Sequence, residues 1–221
     1  MSILHVRAVF FDVDGVLLDS LPQHLRFCAD KAREYGLTDL TIPSVEEFKR
    51  TVRAGVPVSP MVNFFLALGF PLPLAQRGVA DYKNEFAAGY RPRLFPGTDS
   101  MLKRLVHARL MLGLVSSNTR ENVEAALTDS MGWFDKRCVY YEANGGGPAG
   151  KAQYLLEGAQ RLDIITTRCI YVGDQPADMA AAGAAGFGFL GAAYGWGLTV
   201  DDPSIRVVGA VNEIADQILR D

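Results

Sequence analysis

Along most of the chain, short apolar runs alternate with stretches whose apolar positions recur at helical spacing. The runs VRAVFFDVD (6–14), RLMLGLVSSN (109–118), RCVYYE (137–142), RCIYVGD (168–174) and GFGFLG (186–191) are rich in β-branched and aromatic residues and end in small or polar ones. Buried strands of a parallel sheet read this way. Between the later runs the pattern is helical: 98–108 opens at Thr98 after Pro96 and Gly97, 118–129 follows two serines, 150–161 follows a glycine loop, and 176–185 is alanine-rich. Strand alternating with helix implies right-handed crossovers, so the predicted class is α/β, with a doubly wound, Rossmann-like parallel sheet.

Between the first and second runs this rhythm breaks, because residues 20–93 carry helical patterns only. Apolar positions at Leu21, Leu25, Cys28, Ala32 and Tyr35 mark a helix over 21–35. A capping box from Ser44 to Glu47 opens 44–53, Ser59 before Pro60 opens 59–69, and a further helix covers 74–89. Asp19 and Ser20 read as the N-cap of the first of these helices. About seventy residues is too long for an ordinary connection. The segment therefore reads as an α-helical cap domain, 20–93, inserted into a core domain made of 1–19 and 94–221. Its two tethers, at 16–21 and 91–97, suit a lid that opens and closes.

Composition narrows the function classes. Of the 221 residues 49% are hydrophobic, enough for a core of ordinary size and a smaller second one. Lys plus Arg number 22 against 25 for Asp plus Glu, and no basic stretch is interleaved with aromatics, so nucleic acid is not an expected partner. A small molecule is the default. No apolar run approaches the ~20 residues of a membrane span. The opening MSILHVRAVFF meets Asp12 too early for a signal peptide, so a cytoplasmic chain without a membrane partner is expected. Cys28, Cys138 and Cys169 are widely spaced, form no CxxC, and read as buried apolar residues.

The polar residues gather where such a sheet binds its ligands, outside the carboxyl ends of the strands. Asp12 and Asp14 follow the first run, Ser116 and Ser117 the second, Asp174 and Asp178 the fourth. Several carboxylates in one low-dielectric cleft require a cation or protonation. An all-oxygen set of this kind suits Mg²⁺, which keeps several waters and shares its shell with substrate phosphate. Lys151 starts one helix and Asn118 with Thr119 opens another, so an ammonium and helix-terminal amides can face an anion in the same cleft. Metal, anion donors and a free carboxylate together point to phosphoryl transfer.

These residues resemble the motifs of the haloacid dehalogenase-like superfamily, in the branch with a helical cap between the first two motifs, where phosphoglycolate phosphatases and β-phosphoglucomutases belong. Asp12-Val13-Asp14-Gly15-Val16 is similar to the first motif, Leu114-Val115-Ser116 to the second, Lys151 to the third, and Gly173-Asp174-Gln175-Pro176-Ala177-Asp178 to the fourth. The resemblance covers nearly the whole chain. It implies an Mg²⁺-dependent phosphatase acting on a small phosphorylated metabolite, with a β-phosphoglucomutase-like phosphomutase as the alternative. Asp12 would be the nucleophile and Asp14 the general acid and base. The metal set would be Asp12, the backbone carbonyl of Asp14, and Asp174, with Asp178 as support or a further ligand. Ser116 and Lys151 would hold the phosphoryl oxygens, with Ser117 and Asn118 beside them.

Two features depart from the pattern. The third motif commonly reads Gly-Lys-Pro, whereas Gly150-Lys151-Ala152 stands here after Gly145-Gly146-Gly147-Pro148. In the cap, Arg50 to Pro57 occupies the place of a substrate-specificity loop without a matching signature; Arg53 is its candidate substrate contact, against the plainer reading of an exposed helix-end arginine. His24 lies near the hinge and reads as a surface or core histidine, although mutases of this family can place a histidine there. His5 and His107 have no partners at ligand spacing, and Trp196 reads as packing the rim. A P-loop reading of GGGPAGKA, one residue short of a Walker A loop, lacks the metal-ligating hydroxyl at Ala152 and leaves Asp12 and Asp14 unexplained. A 2-haloacid dehalogenase would lack the second aspartate, so Asp14 speaks against it.

Overall fold

The structure, a computed structural model, describes residues 6–143, 148–201 and 205–220. His5 and the glycine stretch 145–147 lie outside the described residues. In chain order the elements are β1 (Ala8–Phe11), β2 (Leu18–Asp19), α1 (Leu21–Glu34), α2 (Val45–Arg53), α3 (Met61–Ala67), α4 (Leu72–Gly89), β3 (Arg93–Leu94), α5 (Thr98–His107), β4 (Met111–Val115) and α6 (Arg120–Leu127). After them come β5 (Val139–Tyr140), α7 (Pro148–Arg161), β6 (Cys169–Gly173), α8 (Pro176–Ala185), β7 (Gly188–Ala192), β8 (Val207–Val208) and α9 (Val211–Leu219).

Six strands form one parallel sheet in the order β5-β4-β1-β6-β7-β8. Numbered within that sheet alone, this is the 3-2-1-4-5-6 order of the doubly wound nucleotide-binding fold. The order reverses beside β1, so the crevice beyond β1 and β6 is the topological switch point, where such sheets bind ligands. The central strand is apolar on both faces: Val9 and Phe11 pack on one side with Leu102, Leu105, Ile214 and Ile218, while Ala8 and Phe10 pack on the other with Leu155, Ala159 and Ala182. Helices thus cover both faces, as a parallel sheet requires. The ladder ends at Phe11, leaving Asp12 as the first residue past it.

The helices α1–α4 pack around a separate cluster that includes Phe27, Phe48, Phe64, Phe65, Tyr82 and Phe86. The tethers are more ordered than connectors: β2 and β3 pair antiparallel, Leu18 with Leu94 and Asp19 with Arg93. Ser44 and Glu47 form the expected capping box. The other expected cap is corrected. Ser20 stands at the N-cap position of α1, but its side chain makes no cap hydrogen bond. Pro22 has no amide hydrogen and the Gln23 amide donates to the Ser20 carbonyl, so neither amide is left for a hydroxyl. Among the described residues, no helix is long and apolar enough to cross a membrane.

Candidate active site

Asp12 leaves β1 and Asp174 leaves β6, neighbouring strands of parallel register, so their side chains meet at the switch point. One oxygen each of Asp12, Asp174 and Asp178 lies within 4.8 Å of the others, and all three residues are buried. The cluster is held from several directions. Asp12 Oδ1 accepts the Val13 amide at 2.8 Å, and its Oδ2 takes the Lys151 ammonium at 2.7 Å. Lys151 also donates to Asp178 Oδ1 at 2.7 Å. The other Asp178 oxygen accepts the amides of Asp174 and Gln175, at 3.2 and 3.1 Å, which anchors it at the N-terminus of α8. Both oxygens of Asp178 are therefore engaged, and it sets the position of Lys151.

Asp174 is built differently. Its Oδ2 accepts the Trp196 amide at 2.7 Å, while its Oδ1 is buried with no hydrogen-bond partner among the described residues. A carboxylate oxygen in that state needs a proton or a cation. Glycines leave room for it: a Cβ at Gly15, where φ is +78°, would stand 2.3 Å from Asp174 Oδ2, and one at Gly195 would stand 2.4 Å from Asp174 Cβ. An all-oxygen set of buried carboxylates with one oxygen unpaired fits a hard divalent cation.

The electrostatics agree. Burial pushes the Asp12 carboxyl up from 3.8 to about 7, against the opposing pull of Lys151. Burial, then the charges of Asp178 and Asp12, raise Asp174 well above its ordinary value. The Lys151 ammonium is held charged by Asp12 and Asp178 despite its burial. For a raised carboxyl, the folded metal-free chain keeps protons that the unfolded chain releases near pH 4, so the stability these groups contribute falls as pH rises toward 7. A divalent cation takes the deprotonated form. The increase in Tm on adding Mg²⁺ is therefore expected to be larger at about pH 8 than at about pH 5. Thermal melts in chelator and in Mg²⁺ at both pH values measure this; an equal or larger increase at the lower pH would remove these carboxylates from the metal site.

Asp14 lies outside the carboxylate cluster. Its Oδ2 accepts from the Asn118 side-chain amide at 3.0 Å, and its Oδ1 is buried without a hydrogen-bond partner among the described residues. Its side chain is thus not among the three carboxylates that come together. Asn118 also reaches the helices of 20–93, its Oδ1 accepting from the Tyr82 hydroxyl of α4 at 3.2 Å. Ser116 is fully buried beneath, its hydroxyl accepting the Asn118 amide at 3.0 Å, whereas Ser117 and Asn118 line the open space.

That space is a cavity of about 260 Å³ between the carboxyl ends of the sheet and the helices α1, α3 and α4, bordered by Asp12, Asp14 and Lys151 on one side. The sequence-predicted residues Asp12, Asp14, Ser117, Asn118, Lys151 and Asp178 line it. Arg53 does not: it ends α2 with its side chain exposed. His24 is buried and reaches the cavity, its Nδ1 donating to the Ser20 carbonyl at 2.8 Å and its Nε2 2.9 Å from the Tyr82 hydroxyl. Trp196 is corrected from the rim to the interior, where its ring meets His24 and Phe64. Tyr82 and Phe64 were missed because their helical spacing is that of any core residue. For Trp196 a signal existed in Gly195-Trp196-Gly197, placed after a strand's carboxyl end.

The class follows from the family model for haloacid dehalogenase-like hydrolases, which matches residues 6–186. The chain belongs to that family and is an enzyme of it. Among its relatives, a phosphoglycolate phosphatase of Xanthomonas campestris pv. campestris is 33% identical over 205 residues, covering 89% of this chain and 87% of the relative. Among solved structures, CbbY of Rhodobacter sphaeroides in complex with phosphate superposes with a TM-score of 0.70 at 18% identity, covering 95% of this chain and 96% of that one. A haloacid dehalogenase-like family protein of Streptococcus pneumoniae gives 0.73 at 20% identity, covering 97% of both chains. At those identities the structures speak for the fold.

Proposed function

We propose that the chain is an Mg²⁺-dependent phosphatase that hydrolyses a small phosphomonoester through an aspartyl-phosphate on Asp12. The observation that carries this reading is the division of labour among the carboxylates: Asp12 held by Lys151, Asp174 with an unpaired buried oxygen, and Asp14 apart from both. Asp12, Asp174 and the backbone carbonyl of Asp14 would hold the metal. When bound, Mg²⁺ would neutralise the carboxylates and polarise the phosphoryl oxygens.

Each remaining role belongs to a group of the chain itself. Asp12 Oδ attacks phosphorus, the ester P–O bond breaks, and the leaving oxygen takes a proton from Asp14. Asp14 then receives a proton from the water that attacks the acyl phosphate, which returns Asp12 as a carboxylate and releases inorganic phosphate. Its place outside the carboxylate cluster leaves it free for this exchange. Lys151 and Ser116 hold phosphoryl oxygens, with Ser117 and Asn118 beside them, and Lys151 limits repulsion between Asp12 and an incoming dianion. Asp178 orients Lys151 from the start of α8.

The same proposal treats residues 20–93 as a cap domain on a core of 1–19 and 94–221. Support comes from the cap's own apolar cluster and from the β2–β3 ribbon at the hinge. Contacts from the cap to the core run through Tyr82 to Asn118, Lys49 to the Tyr194 carbonyl, and Lys83 to Glu142. We place the enzyme in the cytoplasm, a reading supported by the described cysteines, all three free and buried.

The relatives' name makes phosphoglycolate the reference ester for assay. Phosphate release from a panel of small phosphomonoesters is expected to require Mg²⁺ and to stop on chelation. Release that persists in excess chelator would contradict the metal assignment, and no release from any ester would contradict the phosphatase reading.

A further inference from the structure

The cavity has two chemically different walls. Among the described residues, the core wall carries the cavity's charged side chains: Asp12, Asp14, Asp178 and Lys151. The wall facing it is apolar, with Val58, Pro60, Met61 and Phe64 from the cap and Trp196 from the core. Pro60 has no amide hydrogen to offer. The ring nitrogens of His24 are turned to the Ser20 carbonyl and the Tyr82 hydroxyl, and Ser59 is uncharged. Among the described residues lining the cavity, Lys151 is the one cation, and Asp12 and Asp178 already share it.

A substrate whose alcohol carried a second anionic group would bring that group against an apolar wall, near three carboxylates and without a cation of its own. Burying an unpaired charge in that way is strongly unfavourable. An uncharged, apolar substituent would instead bury its surface against Met61, Phe64 and Trp196. Size sets a further bound, since about 260 Å³ lies below the ~300–1,000 Å³ typical of drug-sized ligand pockets.

We infer that the substrate is a small phosphomonoester whose alcohol is uncharged and apolar where it faces the cap, and that esters carrying a carboxylate or second phosphate there are disfavoured. This rests on the phosphatase reading above. It also disfavours a phosphomutase, whose bisphosphate intermediate would need a cationic seat for its second phosphate on the cap side.

The test compares two esters of matched leaving-group chemistry, n-butyl phosphate and 4-(phosphonooxy)butanoate, on the Mg²⁺-loaded wild-type enzyme. The first is expected to have a kcat/KM at least about tenfold higher, a factor equal to a single step of 1.4 kcal/mol in binding. Met61→Lys, which places an ammonium on the apolar wall, is expected to narrow or reverse that ratio, chiefly through the KM of the carboxylated ester. Equal or better use of the carboxylated ester by the wild type overturns the inference and leaves the phosphatase reading standing. A Met61→Lys enzyme that folds with an unchanged ratio overturns the role of the cap wall. Release from neither ester while phosphoglycolate is hydrolysed overturns the inference alone; release from no ester of the panel overturns the phosphatase reading, and the inference with it.

Discussion

Asp12→Asn is expected to lower turnover by about ten-thousandfold or more, the scale on which enzymes lose rate when a nucleophile is removed. The amide keeps the shape of the carboxylate but is no nucleophile toward phosphorus, so the first step has no attacking group. The fold is expected to survive. Burial already favours the neutral form of Asp12, and the amide oxygen can still accept one of the two bonds that Asp12 takes on separate oxygens, from Val13 or from Lys151. Lys151 keeps Asp178 as its counter-charge. Steady-state phosphate release together with a thermal melt checks both halves. Appreciable turnover in a variant that melts like wild type would remove Asp12 from the chemistry.

Lys151→Met is expected to have the largest effect on stability. The thioether fills nearly the same volume, but Asp12 and Asp178 would then face each other, both buried, without the ammonium now 2.7 Å from each. Removing one partner from a buried pair costs about 3–5 kcal/mol. In a chain of this size that corresponds to a drop in Tm of roughly 10 °C in the metal-free enzyme. The loss is expected to be greater at about pH 8 than at about pH 5, because protonation of Asp12, whose carboxyl burial raises to about 7, removes its repulsion with Asp178. Mg²⁺ should restore part of it. Melts that matched wild type at both pH values would show that the Lys151 bridge contributes little.

The sheet was legible because its five runs are apolar, and the inserted helices because helical periodicity replaced those runs for about seventy residues. Asp12, Asp14, Asp174 and Asp178 stood out as charges at the ends of apolar runs, where burial needs a reason. What stayed hidden depends on tertiary contact. A two-residue strand such as β8 has no period to detect, and β2 and β3 are defined by pairing with each other across the cap. The stripe Val211, Ile214, Ala215 and Ile218 of α9 was present in the sequence but lay beyond the last strand assigned there. Ser20 shows local propensity giving way, since its neighbour Pro22 removes one of the amides a cap would bond. The apolar wall of the cavity could not be read at all, because Met61 and Phe64 follow the same helical spacing as any core residue.

The most direct measurement is to trap the covalent intermediate. Enzyme turning over n-butyl phosphate with Mg²⁺ is quenched with hydroxylamine, which converts an acyl phosphate to a hydroxamate, and the peptides are mapped by mass. A hydroxamate on Asp12 that appears only with ester and Mg²⁺ both present, and not in Asp12→Asn, is the expected result. Turnover with no labelled peptide, or with the label on another residue, would contradict an Asp12 phosphoenzyme.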